Sequence, residues 1–292
     1  MPRRAVLVSD SASVDEVLAT RFDVSVVPLR VVIGAQAYDE GSTAGPDEVA
    51  AALREGAPVS TSRPPPEVFL RSYEQAAQDG APAVVSVHLS AEMSGTFESA
   101  QLAARRAPLP VFVVDSGQVG MGTGFAVQAA AEVLAAGRPA AEAAEAARRR
   151  AAQTRSLFYV DTLEFLHRGG RIGTAATLVG SALAVKPLLT IRAGRVVALE
   201  KVRTSTRAIA RLEEMAVAAA GTETVDVAVS HLANWSRAEE LADRLRGGIP
   251  GLRELVVNQV GAVVGAHVGP GMLAVVVAPV DLHPPTAADE TG

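Results

Sequence analysis

Ser86-Val87-His88-Leu89-Ser90-Ala91-Glu92-Met93-Ser94-Gly95-Thr96-Phe97-Glu98-Ser99-Ala100 begins as the end of a strand and finishes as the start of a helix. Residues 83–87 are a short apolar run suited to a buried strand, and from Thr96 onward Phe97, Ala100, Leu102 and Ala103 recur at helical spacing. Between them lies a small hydroxyl-rich turn. Ser94, Gly95 and Thr96 stand where a helix exposes unpaired N–H groups and the positive end of its dipole, so a carboxylate or phosphate can be held there. Taken alone, the stretch is better read as an ordinary turn in which Ser94 is an N-cap, because serine and threonine lead the capping ranking.

The same strand-to-helix alternation extends on both sides. Residues 4–8 read as a strand ending in the polar turn Ser9-Asp10-Ser11, with a helix over 14–18; Asp10 is open to a ligand or a capping role. Residues 24–33 are β-branched, and Gly34-Ala35 turns them into a hairpin with 36–39, expected at the edge of the first sheet. A helix follows over 45–54. Thr61 and Ser62 then form a second hydroxyl pair ahead of Pro64, Pro65 and Pro66, which halt any strand and open a helix over 67–78. A strand over 111–114 leads through Gly117, Gly120, Gly122 and Gly124 into helices over 125–136 and 140–152. This succession predicts a parallel, Rossmann-like sheet covered on both faces.

After about residue 156 the grammar changes. Strands are expected over 157–160, 187–191, 196–202, 225–230, 254–257 and 273–278, and helices over 162–168, 174–185, 206–219 and 235–245. Residues 192–195 make a hairpin turn, and His267 falls in the Gly-rich loop 265–271. The expected organisation is an α/β protein of two domains. An N-terminal domain over 1–157 carries the parallel sheet, a C-terminal domain over 158–281 carries a mixed or antiparallel sheet, and 282–292 form a frayed tail.

Composition narrows the function. The chain has 292 residues, 49% hydrophobic and 20% charged, a globular profile. Its 27 basic and 32 acidic residues give a formal charge of −5 with no long basic patch, which disfavours nucleic acid. Cysteine is absent, so disulfides, thiolate metal sites and cysteine nucleophiles are excluded. The apolar run 5–8 is too short for a signal sequence, and no run reaches the length of a membrane span; the chain reads as soluble and cytoplasmic.

Enzyme templates mostly fail. There is no Gly-x-Ser-x-Gly elbow, no His-Glu-x-x-His, no Walker lysine and no EF-hand loop. The five histidines lack metal-ligand spacing, so neither metal nor cofactor is expected. What remains is a set of hydroxyls at strand-to-helix turns, Thr61, Ser62, Ser94 and Thr96, with one histidine, His267. Neutral donors of this kind suit a carboxylate or phosphate that must be held and then released or modified.

The chain resembles the DegV family along nearly its whole length. The resemblance is carried by Ser9-Asp10-Ser11, Thr61-Ser62-Arg63-Pro64, Met93-Ser94-Gly95-Thr96 with Ser99-Ala100, and Asp115-Ser116. It continues through Phe165-Leu166-His167-Arg168-Gly169-Gly170-Arg171-Ile172, Lys186-Pro187-Leu188-Leu189, Lys201-Val202-Arg203-Thr204 and His267-Val268-Gly269-Pro270-Gly271. Pro65, Met93 and Gly120 depart from the family pattern. The resemblance implies two domains with one long-chain fatty acid, such as palmitate, bound between them, and transient membrane contact. It also implies a separate ATP-binding kinase subunit that phosphorylates the bound carboxylate to an acyl phosphate, so that this chain is not an enzyme by itself. On that footing Thr61, Ser62 and Ser94 hold the carboxylate, Gly95 and Thr96 shape the turn, His267 assists transfer, and Arg203 and Arg171 meet the partner. Two alternatives stay open: a self-sufficient phosphate-handling or acyl-transferring enzyme, and a lipid carrier or sensor without a kinase.

Overall fold

A computed structural model describes residues 4–14, 16–41, 45–178 and 186–280. The first part of the chain runs β1 (Val6–Asp10), α1 (Glu16–Phe22), β2 (Val24–Val27), β3 (Arg30–Ile33), β4 (Gln36–Asp39), α2 (Pro46–Arg54), β5 (Val59–Ser62), α3 (Pro66–Gln78) and β6 (Val84–His88). It continues through α4 (Thr96–Ala104), β7 (Val111–Asp115), α5 (Met121–Ala135) and α6 (Ala140–Gln153). Strands β2-β1-β6-β7 form a wholly parallel sheet in that order. All five residues of β6 are buried, as a central parallel strand with helices on both faces requires. Val85 and Val87 face α5 and α6, whereas Val84 faces α3 and α4.

Ser86 and His88 lie on the α3 side, where an apolar strand would be expected to place only hydrocarbon. Their polarity is matched internally. His88 Nδ1 lies 3.0 Å from Asp10 Oδ2, His88 Nε2 lies 2.7 Å from Ser86 Oγ, and Ser86 Oγ lies 2.8 Å from the Tyr73 hydroxyl. The Asp10 carboxylate also accepts from the Leu89 N–H and the Ser13 hydroxyl. Asp10 is therefore neither a ligand contact nor a helix cap. It is a wholly buried anchor joining β1 to the end of β6.

The second part comprises β8 (Arg155–Tyr159), α7 (Glu164–Arg168), a 3-10 turn (Gly173–Leu178), β9 (Lys186–Arg192), β10 (Arg195–Val202), α8 (Ser205–Ala220) and β11 (Val225–His231). It ends with α9 (Trp235–Gly248), β12 (Leu252–Gln259), α10 (Ala262–Val268) and β13 (Leu273–Pro279). The sheet order is β10-β9-β8-β13-β11-β12, antiparallel except for β11 and β12. Fold class and the mixed second sheet thus match the sequence expectation. Among the described residues no helix is long and apolar enough to cross a membrane.

Four expectations need correction or restriction. The hairpin β3–β4 does not border the parallel sheet; it pairs with β5 in a separate antiparallel sheet of order β4-β3-β5. Thr61 and Ser62 consequently lie on a strand, because the prolines act only after Ser62 and leave the preceding N–H groups free to pair. His267 belongs to helix α10, not to a loop. The helix expected over 174–185 is a 3-10 turn where it is described, and 179–185, like the tail 282–292, lie outside the described residues.

Candidate functional site

Strand period decides where the cavity opens. In the six-stranded sheet one set of alternate residues, including Leu157, Tyr159, Val227, Val229 and Val275, packs beneath α8 and α9. The opposite set faces back toward the parallel sheet. There Met121 and Phe125 of α5 cover Ala228, Val276 and Ala278, but only this end of the face. Beyond α5 a floor of Ser156, Phe158, Ile191, Val196, Ser230 and Ala274, buried except for the partly accessible Ala274, lines a cavity of about 340 Å³. Its roof and walls come from α10, the β5 end, the turn before α4 and Leu166 of α7. That volume lies in the range of small-molecule sites, and the lining is mostly apolar, with polar groups gathered from a few elements.

The polar groups converge from four segments. Thr61 Oγ1 on β5 lies 2.8 Å from His267 Nε2 on α10, bringing together residues 206 positions apart. Ser94 Oγ lies 2.8 Å from Thr96 Oγ1 and accepts from the Thr96 N–H at 3.3 Å. Ser94 thus supports the start of α4 while lining the cavity, so capping and ligand contact are compatible at this turn. Gly95 is the N-cap residue of α4 with an ordinary φ of −74°. A Cβ there would displace the Arg63 guanidinium, which donates to Gly95 O at 3.2 Å and to Glu98 at 2.7 Å. Arg171 donates to Met93 O at 3.0 Å and to Gly169 O at 2.6 Å, so its cation is fixed beside the turn.

Of the residues singled out by sequence, Thr61, Ser62, Ser94, Gly95, His267 and Arg171 line this one cavity. Thr96 is fully buried behind Ser94, and Arg203 is exposed just before α8, away from the lining. Arg63 was visible only as part of a motif, yet it also lines the mouth. The apolar floor had no signal beyond strand alternation, since its residues resemble those of the core on the other face.

Burial, with the Arg171 charge adding to it, pushes the His267 imidazole down to about 4. The ring is therefore neutral near pH 7. Among the described residues Nδ1 has no hydrogen-bond partner, and a Cβ at Gly169 would overlap it. With the proton on Nε2, His267 donates to Thr61 Oγ1 and leaves the Thr61 proton free to point at a bound oxygen. Cavity, hydroxyls and neutral imidazole, with the Arg171 cation beside them, together suit an anionic group held by neutral donors.

The depressed value also fixes a pH dependence. An unfolded histidine takes up its proton near pH 6.5, whereas folded His267 does so only near pH 4, so this group stabilises the fold above pH 6.5 and loses that contribution progressively as pH falls to 4. The full difference corresponds to roughly 3 kcal/mol. Denaturant unfolding of the native chain and His267→Ala from pH 7 to pH 4 should show the native chain losing up to about 3 kcal/mol relative to the variant. Parallel pH profiles would contradict the buried, neutral ring.

Fold and site together define a two-domain α/β protein that encloses an apolar cavity, headed by hydroxyls and a neutral imidazole, against the face of its second sheet. The chain belongs to the DegV family, whose model, described as that of uncharacterised proteins of the family, matches residues 4–280. A DegV domain-containing protein of Streptomyces coelicolor is 53% identical over 278 residues, covering 95% of this chain and 99% of that protein. Among solved structures, a DegV family protein from Thermus thermophilus, described as fatty acid binding, is 34% identical with a TM-score of 0.89, covering 95% of this chain and all of that one. DegV from Bacillus subtilis, described as a fatty acid binding protein, is 28% identical with a TM-score of 0.86 over 95% of this chain and 100% of its own.

Proposed function

We propose that this chain binds a long-chain fatty acid, with the tail on the floor of the second sheet and the carboxylate at Thr61, Ser62, Ser94 and His267, and presents that carboxylate to a separate ATP-binding kinase subunit. The observation that carries the reading is the apolar cavity ending at Thr61, Ser94 and His267. The fatty acid binding described for the Thermus thermophilus and Bacillus subtilis relatives supports it.

Magnitudes divide the work. Burying a 16-carbon tail at ~0.8 kcal/mol per methylene gives roughly 12 kcal/mol of gross transfer free energy. A hydrogen bond to a charged group contributes about 1.5–3 kcal/mol. The tail supplies affinity and the hydroxyls supply position. A carboxylate has no proton to remove, so its oxygen attacks the terminal phosphorus of ATP without a general base: a C–O–P linkage forms, the bond to the β-phosphate oxygen breaks, and ADP leaves. The task left to this chain is to aim that oxygen outward. Gly95 keeps the turn small, Arg171 supplies a fixed positive field, and Arg203, exposed before α8, is offered to the partner surface.

Native mass spectrometry of the purified full chain, followed by denaturing release, should show one co-purifying or palmitate-derived fatty acid per chain. Addition of ATP and the cognate kinase subunit should then give an acyl phosphate that hydroxylamine traps as the hydroxamate, with no product from this chain and ATP alone. Failure to bind palmitate overturns the lipid reading. Turnover without a partner favours a self-sufficient enzyme, and bound lipid that no kinase subunit modifies favours a carrier or sensor.

A further inference from the structure

Helix α10, which carries His267, has a first turn without a side-chain cap of its own, because Gly261 occupies the N-cap position. The Val263 N–H is nevertheless satisfied. It donates at 2.8 Å to Glu40 Oε1, from a residue 223 positions earlier in the chain. The other carboxylate oxygen of Glu40 accepts from the Ser11 hydroxyl at 2.6 Å, and the same Ser11 oxygen accepts from the Leu29 N–H at 2.9 Å. The Glu40 N–H in turn donates to Leu29 O at 2.8 Å. A Cβ at Gly261 would overlap the Glu40 carboxylate, so the glycine leaves space for this contact.

Glu40 directly follows β4, and Thr61 lies on β5; both strands flank β3 in the small sheet. This sheet therefore grips α10 twice, at Val263 through Glu40 and one helical turn later at His267 through Thr61. We infer that Glu40 is a positioning residue that sets where His267 meets Thr61 and the head of the cavity, by capping α10 from outside the helix. The inference rests on the proposed lipid reading only for what His267 then contacts.

A carboxylate in this place is not a neutral choice of residue. Burial pushes the Glu40 carboxyl up, and the Asp10 charge adds to that, while the Ser11 and Val263 hydrogen bonds pull the other way. A group held against such a desolvation cost needs both bonds, and both lead to elements that frame the site.

The test uses the full chain labelled with 15N, and reads the His267 ring nitrogens during a pH titration, with no lipid required. In Glu40→Ala the loosened helix end should expose the ring, raise its titration midpoint from about 4 by roughly one unit or more, and shift the Nε2 signal that reports the Thr61 contact. Gly261→Ala, which displaces the carboxylate while keeping it in the chain, should do the same and serves where Glu40→Ala fails to fold. Glu40→Gln should restore the native values, because its amide oxygen still accepts from Val263 and its NH2 donates to Ser11. Added palmitate labelled at the carboxyl carbon should change its shift in Glu40→Ala, with affinity reduced less than about tenfold because the tail dominates. Folded Glu40→Ala and Gly261→Ala with an unmoved His267, or Glu40→Gln shifting as far as Glu40→Ala, overturns the assignment. Loss of palmitate binding by the native chain strikes the lipid reading instead and leaves the His267 readout intact.

Discussion

Ala274→Trp should lower palmitate affinity by about 100-fold or more while leaving the chain folded, since each displaced methylene removes ~0.8 kcal/mol and four of them remove about 3 kcal/mol. Ala274 lies in β13, between Phe158 of β8 and Ser230 of β11 in register. A residue in a central strand ought to be buried, yet Ala274 is partly accessible. The accessible side is the cavity floor. An indole placed there enters space that is already open, so the overpacking that usually penalises small-to-large changes is limited.

Affinity is read by calorimetry or displacement of a fluorescent fatty acid, with thermal unfolding as the control for folding. A shortened acid gives the converse check: each methylene removed should weaken binding to the native chain by roughly fourfold, and the variant should lose this dependence for the carbons that the indole displaces. Native affinity in a folded Ala274→Trp variant would place the tail elsewhere.

How much of this was legible in the sequence depends on which residues carried a signal that only one environment produces. The parallel sheet was legible because 83–87 and 111–114 are short apolar runs, each followed after a turn by helical spacing. The small sheet was not, because β5 is four residues of Val-Ser-Thr-Ser, one residue ahead of three prolines, and its pairing with β3 is a tertiary fact. Helix α10 was hidden by Gly265, Gly269 and Gly271, whose propensity argues for a loop; its first turn is capped by a carboxylate from residue 40. The site hydroxyls were legible as a group, since Thr61, Ser62 and Ser94 share one chemistry, although their convergence with His267 was not. The cavity floor had no distinct signature. Val275 faces the core and Val276 faces α5 and the cavity, and both are valine. Asp10 misled for a related reason: an Asp-Ser turn at a strand end looks the same whether it meets a ligand or a buried histidine.

Asp226→Ala should destabilise the chain by about 3–5 kcal/mol, the cost of breaking a buried ion pair by removing one partner. Asp226 on β11 is wholly buried and pairs with two arginines. Arg150 of α6 donates to Asp226 Oδ2 at 2.6 Å and also to Pro279 O, while Arg253 of β12 donates to Asp226 Oδ1 at 2.8 Å. Burial pulls the Arg150 guanidinium down from its usual value, opposed first by the Asp226 charge. Without Asp226 both cations remain, and Arg150 is too buried for water to replace the carboxylate. The position matters because α6 packs against α5 and the parallel sheet, whereas Asp226 belongs to the other sheet. The pair therefore links the two sheets where Met121 and Phe125 of α5 close one end of the cavity floor. Thermal unfolding should show a midpoint lowered by roughly 10 °C. Palmitate affinity should fall with it, because a loosened α5 no longer excludes water from the tail. Asp226→Asn, which keeps shape and one acceptor, should fall between the two. An Asp226→Ala variant that melts with the native chain would show that Arg150 and Arg253 find other partners and that the sheets are joined by apolar packing alone.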